Sequence, residues 1–390
     1  MKRSIFSLSL ILLLVIPVIV SAESLYSPTW NFKLDLPEGY EYIDGDGKDR
    51  FSFSGPSGAM FDLVVYNSVY GSIRDLANDV NGRLGNKGSI DFFTYRNKQA
   101  AIIELDFGDS YGWGLCVELS GAAGRQPPML LALAYGPANI SSLSLFHLSA
   151  LDSIVPSDAE RYYPGPIMEY SYPRGEQKQV NLAADGTAIT AGGITATIRE
   201  NDAEAAQILI EREFNILVNY IDTPNWREAW IRYYRFIYRD SYDRVADAAD
   251  ALVRSWGGNP AGNGVAGSEA AKREFAQKAL SFVQGFNYER DFSGSDFLNL
   301  VDAVTEGRGD CDSRAMLWAI ILSKAEIRSA MMVSRQYNHA MGLADIAGTG
   351  ARFEAYETRW LVAETTGKVD IGLIAQDVSD PAHWLGIVFE

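Results

Sequence analysis

The segment Ala315-Met316-Leu317-Trp318-Ala319-Ile320-Ile321-Leu322 carries no polar side chain, so a helix built from it is apolar on every face and belongs inside a core. The residues ahead of it set where that helix starts. Glu306-Gly307-Arg308-Gly309 is polar and glycine-rich, which predicts a loop. Gly309-Asp310-Cys311-Asp312 then places one cysteine at the loop-to-helix junction, with Asp310 as the expected cap. A thiol on the first turn faces the positive end of the helix dipole and unpaired backbone N–H groups. Both favour the thiolate, the nucleophilic form of cysteine. Cys311 is therefore the first candidate for chemistry.

The start of the chain predicts export. Lys2 and Arg3 precede an apolar stretch from Ile5 to Val20, and Val20-Ser21-Ala22 fits the small-residue rule for cleavage after Ala22. The expectation is a signal peptide over residues 1–22 and a periplasmic or secreted protein. No cysteine follows the cleavage point to carry a lipid, and no later apolar segment has the length of a membrane span. Removing Lys2 and Arg3 leaves 32 basic against 50 acidic residues, a balance of −18. That charge argues against nucleic acid or anionic lipid as partner, since both need clustered Lys and Arg. Cys116 and Cys311 are the two cysteines, and in an oxidising compartment a disulfide between them is the alternative to a free reactive thiol. Two cysteines and three histidines do not make a usual zinc site, and no spacing resembles a calcium loop. No metal or cofactor is expected.

Length and patterning divide the chain into an N-terminal α/β domain at 23–157, a linker with a short β-rich segment at 158–200, and a helical lobe plus catalytic-type domain at 201–390. In the first, alternating or apolar runs predict strands at Trp30–Leu36, Phe51–Phe53, Met60–Tyr66, Ile90–Tyr95, Ala100–Phe107, Trp113–Leu119 and Met129–Tyr135. Helices are expected at Ile73–Leu84 and Leu143–Ile154, and His147 reads as a packed or solvated helix residue. The element order resembles the small α/β sandwich of the PsbP/Mog1-like group. Pro156, Pro164, Pro166 and Pro173 mark the linker. Asn201 and Glu204 suit a capping box for the helix that follows, and Ser268 can cap a later one. A second helix carries Trp226, Trp230, Tyr233, Tyr234, Ile237 and Tyr238, an aromatic stripe that suits core packing and, alternatively, a binding platform.

A nucleophilic thiol needs a base that titrates near working pH. Of the three histidines, His339 opens the strand-like run His339–Ile346 after a predicted strand at Ser329–Ser334. His383, in Asp380-Pro381-Ala382-His383-Trp384, reads as a surface turn. An acid should orient the imidazole. Glu364, ending Trp360-Leu361-Val362-Ala363-Glu364, is preferred over Asp345, Glu354 and Glu357. Asp345 would lie roughly 20 Å along the strand from His339 at strand rise. The other two fall near a hairpin turn at Tyr356-Glu357-Thr358-Arg359.

Gly309-Asp310-Cys311-Asp312 entering a buried helix, His339 opening a strand, and Trp360…Glu364-Thr365-Thr366 together resemble the core of the transglutaminase-like superfamily. The resemblance covers about residues 270–380. It implies an α+β, cysteine-protease-like domain with a helical lobe and an antiparallel sheet, and a Cys311, His339, Glu364 triad. It implies thioester formation with a glutamine carboxamide or peptide carbonyl, followed by hydrolysis or transfer to an amine. Protein or peptide substrates, cell-wall peptides among them, are the expected partners. Two departures stand out. Glu364-Thr365-Thr366 replaces the usual Asp-Pro-Thr, and Gly348-Thr349-Gly350 lengthens the interval to the acid, which suggests an added hairpin. Asp310 and Asp312 flank the sulfur and oppose its ionisation unless they point away, with Asp312 expected toward Arg314 or solvent. The competing reading is a catalytically inactive binding or scaffolding module of the cell envelope, with Trp226 and Trp230 as its surface.

Overall fold

The computed structural model describes residues 24–389 apart from 86, 122–123, 183–192, 261, 263, 266 and 291–293. The expected leader at 1–22 lies outside the described residues. Among those described, no helix is long and apolar enough to cross a membrane. The chain is mixed α/β, with two large antiparallel sheets.

Residues 41–137 form a seven-stranded antiparallel sheet in the order Glu41–Gly45, Arg50–Ser54, Met60–Tyr66, Met129–Pro137, Ser110–Glu118, Lys98–Asp106, Ile90–Tyr95. Alternating side chains serve opposite faces, as strand geometry requires. Phe61, Leu63, Leu115 and Leu130 pack under the helix Leu143–Asp152. Ala101, Ile103 and Leu131 pack under Ile73–Arg83, together with Cys116. The expected strand at Trp30–Leu36 shrinks to Lys33–Leu34, because its partner Leu25–Tyr26 is equally short. Residues 164–168, inside the expected linker at 158–200, are buried: the Asp152 carboxylate accepts the N–H groups of Ile167 and Met168 at 2.9 and 3.1 Å, and Tyr95 donates to the Pro164 carbonyl. Pro166 supplies the first turn of Pro166–Ser171, where a missing N–H costs nothing.

A second sheet has the order Arg352–Ala355, Thr358–Ala363, His339–Ala344, Ser329–Ser334, Leu385–Val388, again antiparallel throughout. The added hairpin is present, and Tyr356 and Glu357 both adopt positive φ (50° and 58°), as a two-residue connection demands. One face, through Ala340, Ala344, Leu361 and Ala363, packs on the helix Cys311–Lys324. Met332, Met341, Trp360 and Val362 form a smaller core on the other face. The helices Trp226–Arg244, Ala246–Ser255, Glu269–Gln284 and Leu300–Glu306 complete the main core. Two caps differ from expectation. Asn201 does not cap with its side chain but donates to the Pro173 carbonyl, and Ser268 makes no side-chain cap bond.

Every residue from Cys311 to Leu322 except Asp312 is buried, as an all-apolar helix must be. Its closest approach to the sheet is made by Trp318, whose indole N–H donates to the Ala276 carbonyl at 3.1 Å. The ring lies against Gly342, where any Cβ would collide with it. Gly342 sits three residues beyond His339, so this one contact sets the spacing between the helix and the histidine's strand. Gly342→Ala should destabilise the fold by about 1–3 kcal/mol through overpacking, read as a fall of several degrees in the melting temperature. An unchanged melting temperature would show that the ring has room to move.

Candidate active site

Asp310 caps the cysteine helix from extended backbone. One carboxylate oxygen accepts the N–H groups of Asp312 and Ser313 at 2.7 and 2.9 Å, and the other that of Leu298 at 2.8 Å. Cys311 is thereby held on the first helical turn, where its own N–H has no intrahelical acceptor. Asp312 departs from expectation. Arg314 turns inward instead of meeting it, donating to the Gly309 and Phe286 carbonyls at 3.1 and 2.7 Å. The Asp312 carboxylate accepts the Tyr234 hydroxyl at 2.5 Å and lies 3.5 Å from the Cys311 sulfur, which donates to it. The aromatic helix thus contributes Tyr234 to the site rather than to core alone.

The second part of the site comes from the sheet. His339 opens its strand opposite Ser334, and its Nε2 lies 2.8 Å from Glu364 Oε2. The other oxygen of Glu364 accepts the Thr366 N–H (2.7 Å), the Thr366 hydroxyl (2.5 Å) and the Gly367 N–H (3.3 Å). Burial alone would raise the Glu364 pKa, but the His339 hydrogen bond and charge, with the Thr366 donors, outweigh it and hold the carboxyl at about 2. An ionised Glu364 accepts from Nε2–H, which leaves Nδ1 as the nitrogen able to exchange a proton. The Trp384 ring covers the pair, 6.2 Å from the imidazole centroid to centroid. The competing acids are elsewhere. Asp345 pairs with Arg328 at 3.0 Å, Glu354 with Arg359 at 3.7 Å, and Glu357 forms the hairpin turn.

The two parts meet at the sulfur. The backbone N–H of Ala340, the residue after His339, and the Tyr288 hydroxyl both lie close enough to the sulfur to act on its ionisation. The thiol is nevertheless pushed well above its ordinary pKa, first by burial and then by the Asp312 and Asp310 carboxylates, with the Ala340 N–H pulling the other way. Cys311 is only 3 % exposed. The expected thiolate is therefore not the form this arrangement favours, because the sulfur is buried and Asp312 faces it rather than solvent. Burial raises both Asp310 and Asp312 as well, the neighbouring carboxylate adding to the effect on Asp310.

Tyr288 escaped the sequence reading. It carries no motif, and it arrives because Asn287–Tyr288 pairs in parallel with Arg308–Gly309, two residues ahead of Cys311. Cys116 and Cys311 are both free, and burial lifts the Cys116 thiol to about 12, consistent with a packing role. His147 is buried in the helix against Trp113, its pKa lowered to about 4 by burial. His383 sits on an exposed turn near Asp380. Asp310, Cys311 and Asp312 bring three ligand-type atoms within 4.8 Å of one another. Backbone N–H donors already occupy both Asp310 oxygens, and Tyr234 binds Asp312, so this donor set is committed to the fold.

No protein-family model matches the chain, and no curated protein matches it. Among solved structures the chain is similar to a protein from Bacteroides thetaiotaomicron, at 10% identity and a TM-score of 0.24, over 78% of this chain and 97% of that one. It is also similar to a candidate cysteine protease from Cytophaga hutchinsonii, at 12% identity and a TM-score of 0.23, over 90% of this chain and 76% of that one. A candidate protease from Parabacteroides distasonis follows at 8% identity and a TM-score of 0.21, over 85% and 70%. Likenesses this distant assign neither architecture nor chemistry to this chain.

Two outcomes follow from the charges. Removing the carboxylate beside the sulfur should ease its ionisation, so Asp312→Asn should move the pH midpoint of Cys311 alkylation down by about 1 unit or more. A midpoint that stays or rises would mean that Asp312 does not govern the thiol. Glu364 has a depressed folded pKa, so its contribution is present above the unfolded value near 4.5 and disappears as pH falls through about 2. Wild type should exceed Glu364→Gln in unfolding free energy by on the order of 3 kcal/mol at neutral pH, and the gap should close between pH 5 and 2. A gap independent of pH would detach its cause from ionisation of this acid.

Proposed function

We propose that the protein is an exported cysteine enzyme that cleaves or transfers amide acyl groups, with Cys311 as nucleophile, His339 as acid and base, and Glu364 as the residue that orients the imidazole. The observation that carries this reading is the joint geometry of the site. A cysteine on the first turn of a buried helix lies beside the N–H of Ala340, and the residue before Ala340, His339, is bonded to an ionised glutamate at 2.8 Å. Cleavage after Ala22 and a periplasmic or secreted location rest on the leader sequence.

In the reaction, His339 Nδ1 takes the thiol proton and the sulfur attacks the carbonyl carbon, forming C–S as the carbonyl electrons move to oxygen. In this reading the Cys311 backbone N–H would be one donor for that oxyanion, and the Tyr288 hydroxyl, which acts on the same sulfur, would be a second. Collapse breaks the C–N bond, and the imidazolium returns its proton to the departing amine. Water or a second amine then attacks the thioester, giving an acid or a new amide and restoring the thiol. Substrate entry must also move Asp312 from the sulfur or neutralise it, since its charge opposes the first step. The Asp312–Tyr234 hydrogen bond gives the displaced carboxylate a partner.

The sealed, thiol-favouring setting of Cys311 also suits a non-catalytic module, which keeps that reading in contention. Turnover separates the two. Wild-type protein incubated with glutamine- and peptide-amide substrates should form a thioester trapped by hydroxylamine. Glu364→Gln should lower kcat by about 10²- to 10⁴-fold, and Cys311→Ala should abolish it. Alkylation of Cys311 only after unfolding, with no trapped acyl group, would establish the non-catalytic module.

A further inference from the structure

Two cavities of opposite charge flank the site. A groove of about 400 Å³ opens on the His339 side, where Trp384 is shared between the groove wall and the imidazole. Trp226 and Trp230 line it from the facing helix. Its charged groups are Arg227 and Arg335, and no carboxylate lines it. Arg227 lies 5.1 Å from the Trp226 ring, and Arg335 reaches the Ile221 carbonyl at 3.4 Å. Both arginines are exposed, and among the described residues neither is paired with a carboxylate. In a chain with 50 acidic and 34 basic residues, two such arginines side by side are out of character with the rest of the surface. A cavity of about 720 Å³ lies on the Asp310 side, where Glu204, Glu211, Glu289 and Asp302 outnumber Arg290 and Arg308.

Resting on the acyl-transfer reading above, we infer that the departing half of the substrate is a short peptide fragment ending in a free carboxylate, which Arg227 and Arg335 bind. His339 must hand its proton to the departing amine, so that half lies on the imidazole's side, toward the groove. The acyl half then points toward Tyr288 and the acidic cavity. This polarity matches that of a peptide, whose N-terminal ammonium would face the carboxylates and whose C-terminal carboxylate would face the guanidiniums. Trp384 joins the two places, since it lines the groove and lies 6.2 Å from the imidazole centroid to centroid. Guanidinium suits this task because it binds carboxylate through two parallel hydrogen bonds, and the tryptophan faces offer packing for the intervening side chain.

The test uses tetrapeptides randomised at the two central positions, made as one pool with C-terminal carboxylates and one with C-terminal amides. Mature wild-type protein should consume the carboxylate pool with kcat/KM higher by about tenfold or more, read by mass spectrometry. Arg227→Gln and Arg335→Gln should each bring the ratio between pools toward one. Equal use of the pools, preference for amides, or a ratio untouched by both variants would overturn the assignment. Binding of the same pools to Cys311→Ala, followed by tryptophan fluorescence, isolates the groove from the chemistry. Preferential binding of carboxylates without turnover by wild type would uphold the groove and sink the acyl-transfer reading. Binding of neither pool, or of both alike, would sink the groove assignment itself.

Discussion

A helix without a polar side must be enclosed, and the enclosure of Cys311–Lys324 organises everything near the sulfur. The sheet supplies one wall, through Ala340, Ala344 and Ala363, and neighbouring helices supply the others. Small residues on the wall let the helix approach closely, with Trp318 seated on Gly342. Because the strand on that wall begins with His339, packing the helix also delivers the imidazole to the helix's N-terminal end. The polar end of the helix is satisfied from within by Asp310, so the first turn is buried without stranding its donors. Core packing and site assembly are the same event in this part of the molecule.

That arrangement sets opposing fields on one atom. The helix N-terminus and the Ala340 N–H favour a thiolate, while burial and two flanking carboxylates favour a thiol. Asp310 cannot move without uncapping the helix, since its oxygens hold three backbone N–H groups. Asp312 is held by one hydroxyl, that of Tyr234, and is the carboxylate whose displacement leaves the cap intact. Beyond burial, which is the larger cause, Asp312 is therefore the carboxylate whose position can change the sulfur's ionisation without uncapping the helix.

Much of this was legible in the sequence, for identifiable reasons. The strands at Met60–Tyr66, Ile90–Tyr95 and Ser329–Ser334 were readable because their patterns are local and bounded by turns. Glu364 was readable because it ends an apolar strand beside the histidine's own, and the hydrogen bond at 2.8 Å follows from that register. Asp312, expected toward Arg314 or solvent, was misplaced because Arg314 is drawn inward by two carbonyls that only the tertiary fold supplies. Tyr288 was invisible because its position depends on a two-residue parallel pairing. Residues 164–168 lie in the linker that the prolines mark, yet the Asp152 carboxylate fixes Ile167 and Met168 by accepting their backbone N–H groups. Prolines report where helices stop, not whether the segment is free.

The front sheet is tied to the site by buried charge. Arg232 donates to the Asp35 carbonyl, to Ser149 and to Glu213, all within 2.9 Å. Arg212 joins Glu213 to Asp152 at 2.8 and 2.7 Å. Two guanidiniums and two carboxylates make this set neutral, and burial that would raise the Glu213 pKa is outweighed by Arg212 and Arg232, which hold it low. Removing one member alone would strand a buried charge, at a cost of about 3–5 kcal/mol. Arg232 stands two residues before Tyr234 on the helix Trp226–Arg244, which also presents Trp226 and Trp230 to the groove. A helix is stiff over so short a span, so a tilt that disturbs Arg232 also shifts the hydroxyl on Asp312 and the rings beside His339. Residues 35 and 149 thus meet, through Arg232, the same helix that supplies Tyr234 to Asp312 beside the sulfur.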